Sequence, residues 1–352
     1  MVSFRSLFAA GLAVTSAFAK PVQHLDFTGT SLARRATPLA GYLGYFFRGD
    51  DKSNVYMYIS DGNDPASFRP ALKDDAALLT PTLGTKAVRD PYIVDGGGKD
   101  KGKKYFILGT DLNIKETSWD KAQRQGSRSI LVWESEDLVT WGKERLVEVE
   151  TNPTAGMVWA PEALYDQRER KYFVHWASKF YGKDDAEHTG QPGPTMIRYT
   201  YTSDFVEFEP PKTYIDMNTT DVIDLTILAG DNNGERFLRF IKDESLKNVF
   251  VEASTDGLQG PWLRHPSSDA FIEKDVEGPA AFWDNLDEEK VHLLLDHYGA
   301  GGYQLYESKN PASNLGWNKT STDKFPTGLR HGSVLPIDEA TYATVKGKFL
   351  SS

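Results

Sequence analysis

Cysteine is absent from the 352 residues. No disulfide framework, Cys-based zinc site or thiol nucleophile is therefore available. Basic charge is in deficit: 40 Lys and Arg face 50 Asp and Glu, for a formal net charge of -10. With no basic run to track phosphates, nucleic acid is excluded as an expected partner. Long apolar runs are missing too. No stretch approaches the ~18 consecutive apolar residues of a membrane span. What is present is 39% hydrophobic residues, 12% of all residues being aromatic, which is enough for a packed core.

The N-terminus reads as a targeting segment. Arg5 precedes an apolar run from Leu7 to Val14, and Ala17-Phe18-Ala19 is a small-x-small cleavage pattern. Residues 1–19 are therefore expected to be a signal peptide, and the protein to be secreted. Residues 20–35 end in the dibasic pair Arg34-Arg35, which reads equally as a propeptide cut or as a solvated linker. The sequons at Asn218 and Asn318 fit a secreted chain. Residues 36–352 are expected to form a single domain.

That domain is rich in short strand-like runs. Tyr105 to Leu108, Ile130 to Trp133, Tyr172 to Trp176, Met196 to Tyr201, Phe237 to Ile241, Val249 to Val251 and Val291 to Leu295 are examples. Val, Ile and aromatics dominate them, and Gly, Asn or Asp bound most of them. Sustained helical periodicity appears nowhere outside the N-terminal segment. A repeat overlies these runs: a strand ends in Ser or Thr, a turn with Asp or Asn follows, and an aromatic opens the next strand. It begins at Ser60, Ser135, Ser203, Ser254 and Ser308, and its aromatics are Phe68, Trp141, Phe208, Trp262 and Trp317. Such a repeat marks small sheets that cannot bury their own faces alone. Four short strands with their turns fit each interval, so the expectation is an all-β, five-bladed propeller.

A second series has the same period: Asp90-Pro91, Trp159-Ala160-Pro161-Glu162, Asp224-Leu225, Glu277-Gly278-Pro279 and His331-Gly332. Each member precedes an apolar run suited to the innermost strand of a blade. One ionisable residue at the same point of each inner strand would converge on one end of the central channel. The order of the two series also predicts how the ring closes. The C-terminal inner strand should join outer strands from about residues 42–71.

Isolated buried carboxylates are costly, so a cluster of them suggests a site with shifted pKa values. Three carboxyl groups around a narrow pocket suit glycoside hydrolysis, with one deprotonating water and one protonating the leaving oxygen. A third beside the acid would raise its pKa by repulsion. Tyr92, Trp159, Trp176, Trp283 and Tyr298 are aromatics near the motifs that could stack on sugar faces. The Gly-rich run after Asp296 lacks a phosphate-binding pattern.

From about Tyr42 to Ile337 the chain resembles glycoside hydrolase family 43, five-bladed propellers that act on plant cell-wall polysaccharides with inversion. Asp90-Pro91, Trp159-Ala160-Pro161, Asp224, Glu277-Gly278-Pro279 and His331-Gly332 carry the resemblance in family order. Gly84 to Pro91 and Leu329 to Val334 resemble arabinofuranosidase-like members. The resemblance implies Asp90 as general base, Glu277 as general acid and Asp224 as the carboxylate that raises the acid's pKa. Glu162 stands where many members have Asp, and it competes with Asp224 for that role. Arg89, Trp159, Glu162, Trp176, Tyr298 and Arg330 are the expected substrate-binding residues. His331 would lie at the channel centre, where some members hold a calcium ion through waters; no cofactor is required for the chemistry.

The expected function is a secreted inverting hydrolase that releases α-L-arabinofuranosyl units from arabinan or arabinoxylan. β-Xylosidase, β-galactofuranosidase and endo-arabinanase share the same chemistry. A non-catalytic sugar-binding propeller and a protein-interaction propeller are the alternatives of other classes. The first has no need for a proton donor. Nothing marks a protein partner, and a monomer is expected.

Overall fold

The computed structural model describes residues 38–321 and 323–350. The expected signal segment and the following segment through Arg35 lie outside the described residues. The described chain forms five antiparallel four-stranded sheets arranged as the blades of a propeller. It begins with β1 (Leu39–Phe47), β2 (Tyr56–Asp61) and β3 (Asp64–Pro70). Blade I follows, with β4 (Val88–Asp95), β5 (Tyr105–Asp111), β6 (Ser129–Ser135) and β7 (Arg145–Glu148). Blade II contains β8 (Trp159–Asp166), β9 (Lys171–Ser178), β10 (Met196–Thr202) and β11 (Lys212–Ile215). Blade III contains β12 (Val222–Ala229), β13 (Phe237–Asp243), β14 (Asn248–Ser254) and β15 (Glu273–Lys274). Blade IV contains β16 (Glu277–Trp283), β17 (Val291–His297), β18 (Gly302–Ser308) and β19 (Asn318–Lys319). The last strand, β20 (Arg330–Asp338), pairs with β1 and completes blade V in the order β20-β1-β2-β3. The ring closes as the sequence predicts.

Blade faces are buried against neighbouring blades, which is why the strands read as nearly continuous apolar runs. Five apolar clusters fill the five interfaces. Leu43, Tyr45 and Ile59 of blade V meet Ile93, Ile107 and Leu131 of blade I. Phe106, Leu108 and Val132 of blade I meet Tyr172, Val174 and Trp176 of blade II. Phe173 and Ile197 of blade II meet Leu225, Ile227 and Ile241 of blade III. Leu238, Val249 and Val251 meet Leu293 and Leu295 across blades III and IV. Tyr42, Phe46 and Tyr58 meet Phe282, Leu294 and Tyr303 across blades V and IV.

The Ser/Thr repeat is the corner between the third and fourth strands. Ser135 Oγ accepts hydrogen bonds from the backbone N–H groups of Asp137 and Leu138. Ser254 and Ser308 accept from Asp256 and Asn310 in the same way. In blade II the hydroxyl belongs to Thr202, one residue before Ser203, and it serves Asp204 and Phe205. Such side-chain capping of a turn explains the residue choice.

Two helices depart from the sequence reading, the first being α1 (Trp119–Arg124) between β5 and β6. Helix α2 (Glu339–Phe349) follows β20, where no helical periodicity stands out. Only Tyr342 and Val345 of it are buried, too narrow a stripe to show as a pattern. Asp338 caps it, its side chain accepting from Thr341 N at 2.9 Å. The Tyr342 hydroxyl donates to Ser60 O and accepts from Gly62 N, both at 3.0 Å, which ties the helix to the β2–β3 turn.

Candidate active site

Each of the first four inner strands carries a β-bulge near its start. Pairing shifts between Arg89 and Tyr92, Trp159 and Glu162, Ile223 and Thr226, and Glu277 and Ala280. The bulge residues Asp90, Ala160, Asp224 and Gly278 have φ of 51°, 47°, 47° and 54°. In blade V the pairing likewise passes over His331, between Arg330 and Gly332. A bulge bends the strand and re-aims a side chain. The Pro residues that follow three of the bulges (Pro91, Pro161 and Pro279) are tolerated because an inner strand is a sheet edge.

The five ionisable residues therefore do not share one register position, contrary to the sequence expectation. Asp90, Asp224 and His331 are bulge residues. Glu277 stands one residue earlier, and Glu162 two residues later than the bulge residue Ala160. The bulge re-aims the first three side chains together, and Glu277 reaches them from the adjacent position.

Asp90, Asp224, Glu277, Arg330 and His331 line one cavity of about 410 Å³ at the channel end where the inner strands begin. Phe47, Asp50, Arg89, Trp119, Trp159 and Tyr298 form much of its wall. At the floor, His331 Nδ1 lies 3.3 Å from Asp90 Oδ1 and 3.8 Å from Asp224 Oδ2. Thr110 Oγ1 donates to Asp90 Oδ2 at 2.8 Å. The Gly278 backbone N–H donates to Asp224 Oδ2 at 3.0 Å. At the wall, Arg330 Nη2 meets Glu277 Oε1 at 3.0 Å, while its Nε meets Asp296 Oδ2 at 2.5 Å. The Arg89 guanidinium lies between the Phe47 and Trp119 rings, 4.5 and 5.2 Å from their centroids, and bonds Asp50.

These surroundings separate the carboxyl groups chemically. Burial opposes ionisation of Asp90. The His331 hydrogen bond and charge, helped by Arg89 and Thr110, outweigh it and hold Asp90 below the usual carboxylate range. Burial raises Asp224, with His331 opposing and the Asp90 charge adding. Glu277 is pushed up to about 7 by burial and then by the charges of Asp224 and Asp296, against Arg330 and His331. The pocket thus holds one carboxyl group kept ionised and one kept protonated into the neutral range. That is the pairing needed to take a proton from water and give one to a leaving oxygen.

Residues 37–343 match a family related to glycoside hydrolase family 43 and described as a probable glycosyl hydrolase domain. The chain belongs to this glycoside hydrolase family. A curated relative, an α-L-arabinofuranosidase of Bifidobacterium longum subsp. longum, is 29% identical to this chain over 330 residues. The match covers 83% of this chain but only 30% of that relative's length. Two solved structures match at lower identity. The catalytic domain of a family-62 α-L-arabinofuranosidase from Coprinopsis cinerea has TM-score 0.48 at 13% identity, covering 74% of this chain and 76% of its own. An exo-β-1,3-galactanase from Phanerochaete chrysosporium has TM-score 0.46 at 10% identity, covering 68% of this chain and 50% of its own.

Of the expected substrate-binding residues, Arg89, Trp159, Tyr298 and Arg330 line the pocket. Trp176 does not. It is 0% exposed, packed between blades I and II, with Nε1 donating to Ser178 Oγ at 3.1 Å. Glu162 does not line the pocket either. It is buried beside Thr226, which it hydrogen-bonds across blades II and III, and burial raises it well above the carboxylate range. Of the two competitors to modulate the acid, Asp224 faces the pocket and Glu162 does not. Tyr92 and Trp283 line the opposite end of the channel.

Phe47, Trp119 and Asp296 went unnoticed in the sequence. Trp119 opens helix α1 (Trp119–Arg124), a short insertion between β5 and β6 that carries none of the repeat signals. Its ring is 47% exposed and meets Trp159 edge-on, with centroids 5.9 Å apart.

At His331, where the sequence reading placed a calcium ion held through waters, Nδ1 faces two carboxylates. Against the effect of burial, Asp224, Asp90 and Glu162 push its pKa up to about 10, which favours the charged ring. Among the described residues, no group of three His, Asp or Glu is arranged to hold a metal ion.

Proposed function

We propose that the hydrolase is a secreted, inverting enzyme that removes α-L-arabinofuranosyl units from arabinan or arabinoxylan, acting as a monomer. The observation that carries the chemistry is the pair Asp90 and Glu277 in one cavity, the first held ionised and the second raised to about 7. In this reading Glu277 gives its proton to the glycosidic oxygen as the bond to the anomeric carbon breaks. Asp90 takes a proton from the water whose oxygen bonds to that carbon from the opposite face. The products are the free sugar, of inverted configuration, and the shortened alcohol. Asp224 supports the acid by repelling its ionised form. His331 keeps Asp90 ionised. Arg89, Trp159, Tyr298 and Arg330 are assigned to sugar binding. No step passes through a metal ion.

The arabinofuranosidase relative supports the choice of sugar. β-Xylosidase, β-galactofuranosidase and endo-arabinanase use the same carboxyl groups and differ in pocket shape. The deciding experiment is product analysis on debranched arabinan, arabinoxylan and xylo-oligosaccharides, with Glu277→Gln as control. Arabinose alone, lost in the control, is expected. Xylose or a ladder of oligomers would replace the substrate and keep the mechanism. Proton NMR of the first product should show the inverted anomer; the retained anomer would overturn inversion.

A further inference from the structure

At the pocket wall a second carboxylate and a cation stand behind Glu277. Asp296 is on β17, directly opposite Glu277 of β16 in the strand register. It is 0% exposed. Its Oδ2 accepts from Arg330 Nε and, at 3.4 Å, from the His331 backbone N–H. Its Oδ1 is buried without a hydrogen-bond partner among the described residues. The other end of the same guanidinium reaches Glu277 Oε1, and its Cζ lies 5.8 Å from the Phe47 ring centroid.

Burying a carboxylate this fully costs several kcal/mol unless it is well paired. Asp296 spends its better oxygen on orienting Arg330 rather than on filling its own hydrogen-bonding capacity. An arginine on a flexible stem holds a fixed direction only when its fork is engaged on more than one side. Here Asp296 engages Nε and leaves Nη2 aimed at Glu277. Without Asp296, Arg330 could swing along the wall or turn to the carboxylates at the floor.

We propose that Asp296 is a positioning residue for proton donation: it locks the Arg330 fork, and Arg330 holds the Glu277 carboxyl in one orientation at the pocket wall. The proposal rests on the reading of Glu277 as the acid. It assigns Asp296 no contact with substrate. Misplacing a donor by about 1 Å costs on the order of 10²-fold in rate, so loss of the lock should fall on kcat.

Leaving-group dependence tests this, because an activated aryl leaving group departs with little protonic help and an alkyl one does not. Steady-state kinetics would compare 4-nitrophenyl and methyl glycosides of the sugar found by product analysis. Asp296→Asn is expected to lower kcat on the methyl glycoside about 10–100-fold, with KM and the aryl glycoside little changed. Glu277→Gln should show the same selectivity, more strongly. If Glu277→Gln slows both substrates equally, the acid assignment fails and the proposal falls with it. If Glu277→Gln is selective while Asp296→Asn slows both substrates equally or changes KM alone, the positioning role alone is overturned. Should Asp296→Asn fail to fold, Arg330→Lys, at a partly exposed site, decides. It keeps the charge and loses the fork. Its part in sugar binding raises KM on both substrates, and the ratio of aryl to methyl kcat must still rise; an unchanged ratio overturns the proposal.

Discussion

The acid–base assignment depends on three side chains set within one electrostatic field. On an oligosaccharide or methyl glycoside, Asp90→Asn and Glu277→Gln should each lower kcat by about 10²–10⁴-fold while circular dichroism shows an intact fold. Unchanged turnover in either would remove that residue from the mechanism. The pH profile follows from the directions of the shifts. Activity should fall as pH rises through about 7, where Glu277 loses its proton, and fall again in acid below the usual carboxylate range, where Asp90 gains one. The same shift has a stability sign. Glu277 binds its proton more tightly folded than unfolded. Its favourable contribution is complete below its ordinary value of 4.5 and is lost as pH rises through about 7. Glu277→Gln has no charge to bury, so its melting temperature should exceed the parent's by a few degrees at pH 8 and match it near pH 4. Equal values at pH 8 would contradict a raised Glu277.

At the scale of elements, the bulges and the one inserted helix shape the pocket. Gly278 occupies a left-handed bulge position, and a Cβ there would meet His331 Cγ at 2.7 Å. Gly278→Ala should therefore displace the ring that pairs with Asp90, losing both stability and activity; wild-type turnover would show that the floor is less rigid than its packing implies. Helix α1 presents Trp119 at the rim, braced by Trp159 and Arg89. Trp119→Ala should raise KM for an oligosaccharide more than for an aryl monosaccharide, as expected where a sugar ring packs on the indole; equal KM values would leave the indole a wall residue only. The legibility of the sequence followed the same elements. Asp90, Glu277 and His331 could be located because Pro and Gly punctuate their inner strands at blade intervals, and Asp224 because it falls at the same interval. Glu162 was misplaced because no residue in the sequence reveals that a bulge takes up Ala160 and Pro161 before pairing resumes. Trp176 was taken for a sugar platform because an aromatic near a motif looks the same whether its strand faces a neighbouring blade or the channel. Asp296 and Trp119 belong to a second strand and to an insertion, outside the repeat, and only the fold brings them to the pocket.

Across the whole molecule, every blade interface carries a polar link beside the channel in addition to its apolar cluster. Thr110 Oγ1 accepts from Ala160 N between blades I and II, and Glu162 joins Thr226 between II and III. Gly278 N donates to Asp224 between III and IV, Gly332 N donates to the Tyr303 hydroxyl between IV and V, and Ile93 N donates to Ser333 Oγ between V and I. The floor is thus held by protein groups on all sides. Treatment with a chelator should leave both turnover and melting temperature unchanged; a fall in either, restored by calcium, would place a structural cation in the channel after all.

The pairing of β20 with β1 reaches beyond mechanics. Arg330 and His331 stand on the inner strand that closes the ring, far along the chain from Asp90 and its neighbours. A polypeptide released before residue 330 has the base and the acid in its sequence, yet lacks the cation that keeps the first ionised and the fork that meets the second. Polypeptides cut before residue 330 are therefore expected to be inert rather than partly active in the glycosidase assay proposed above.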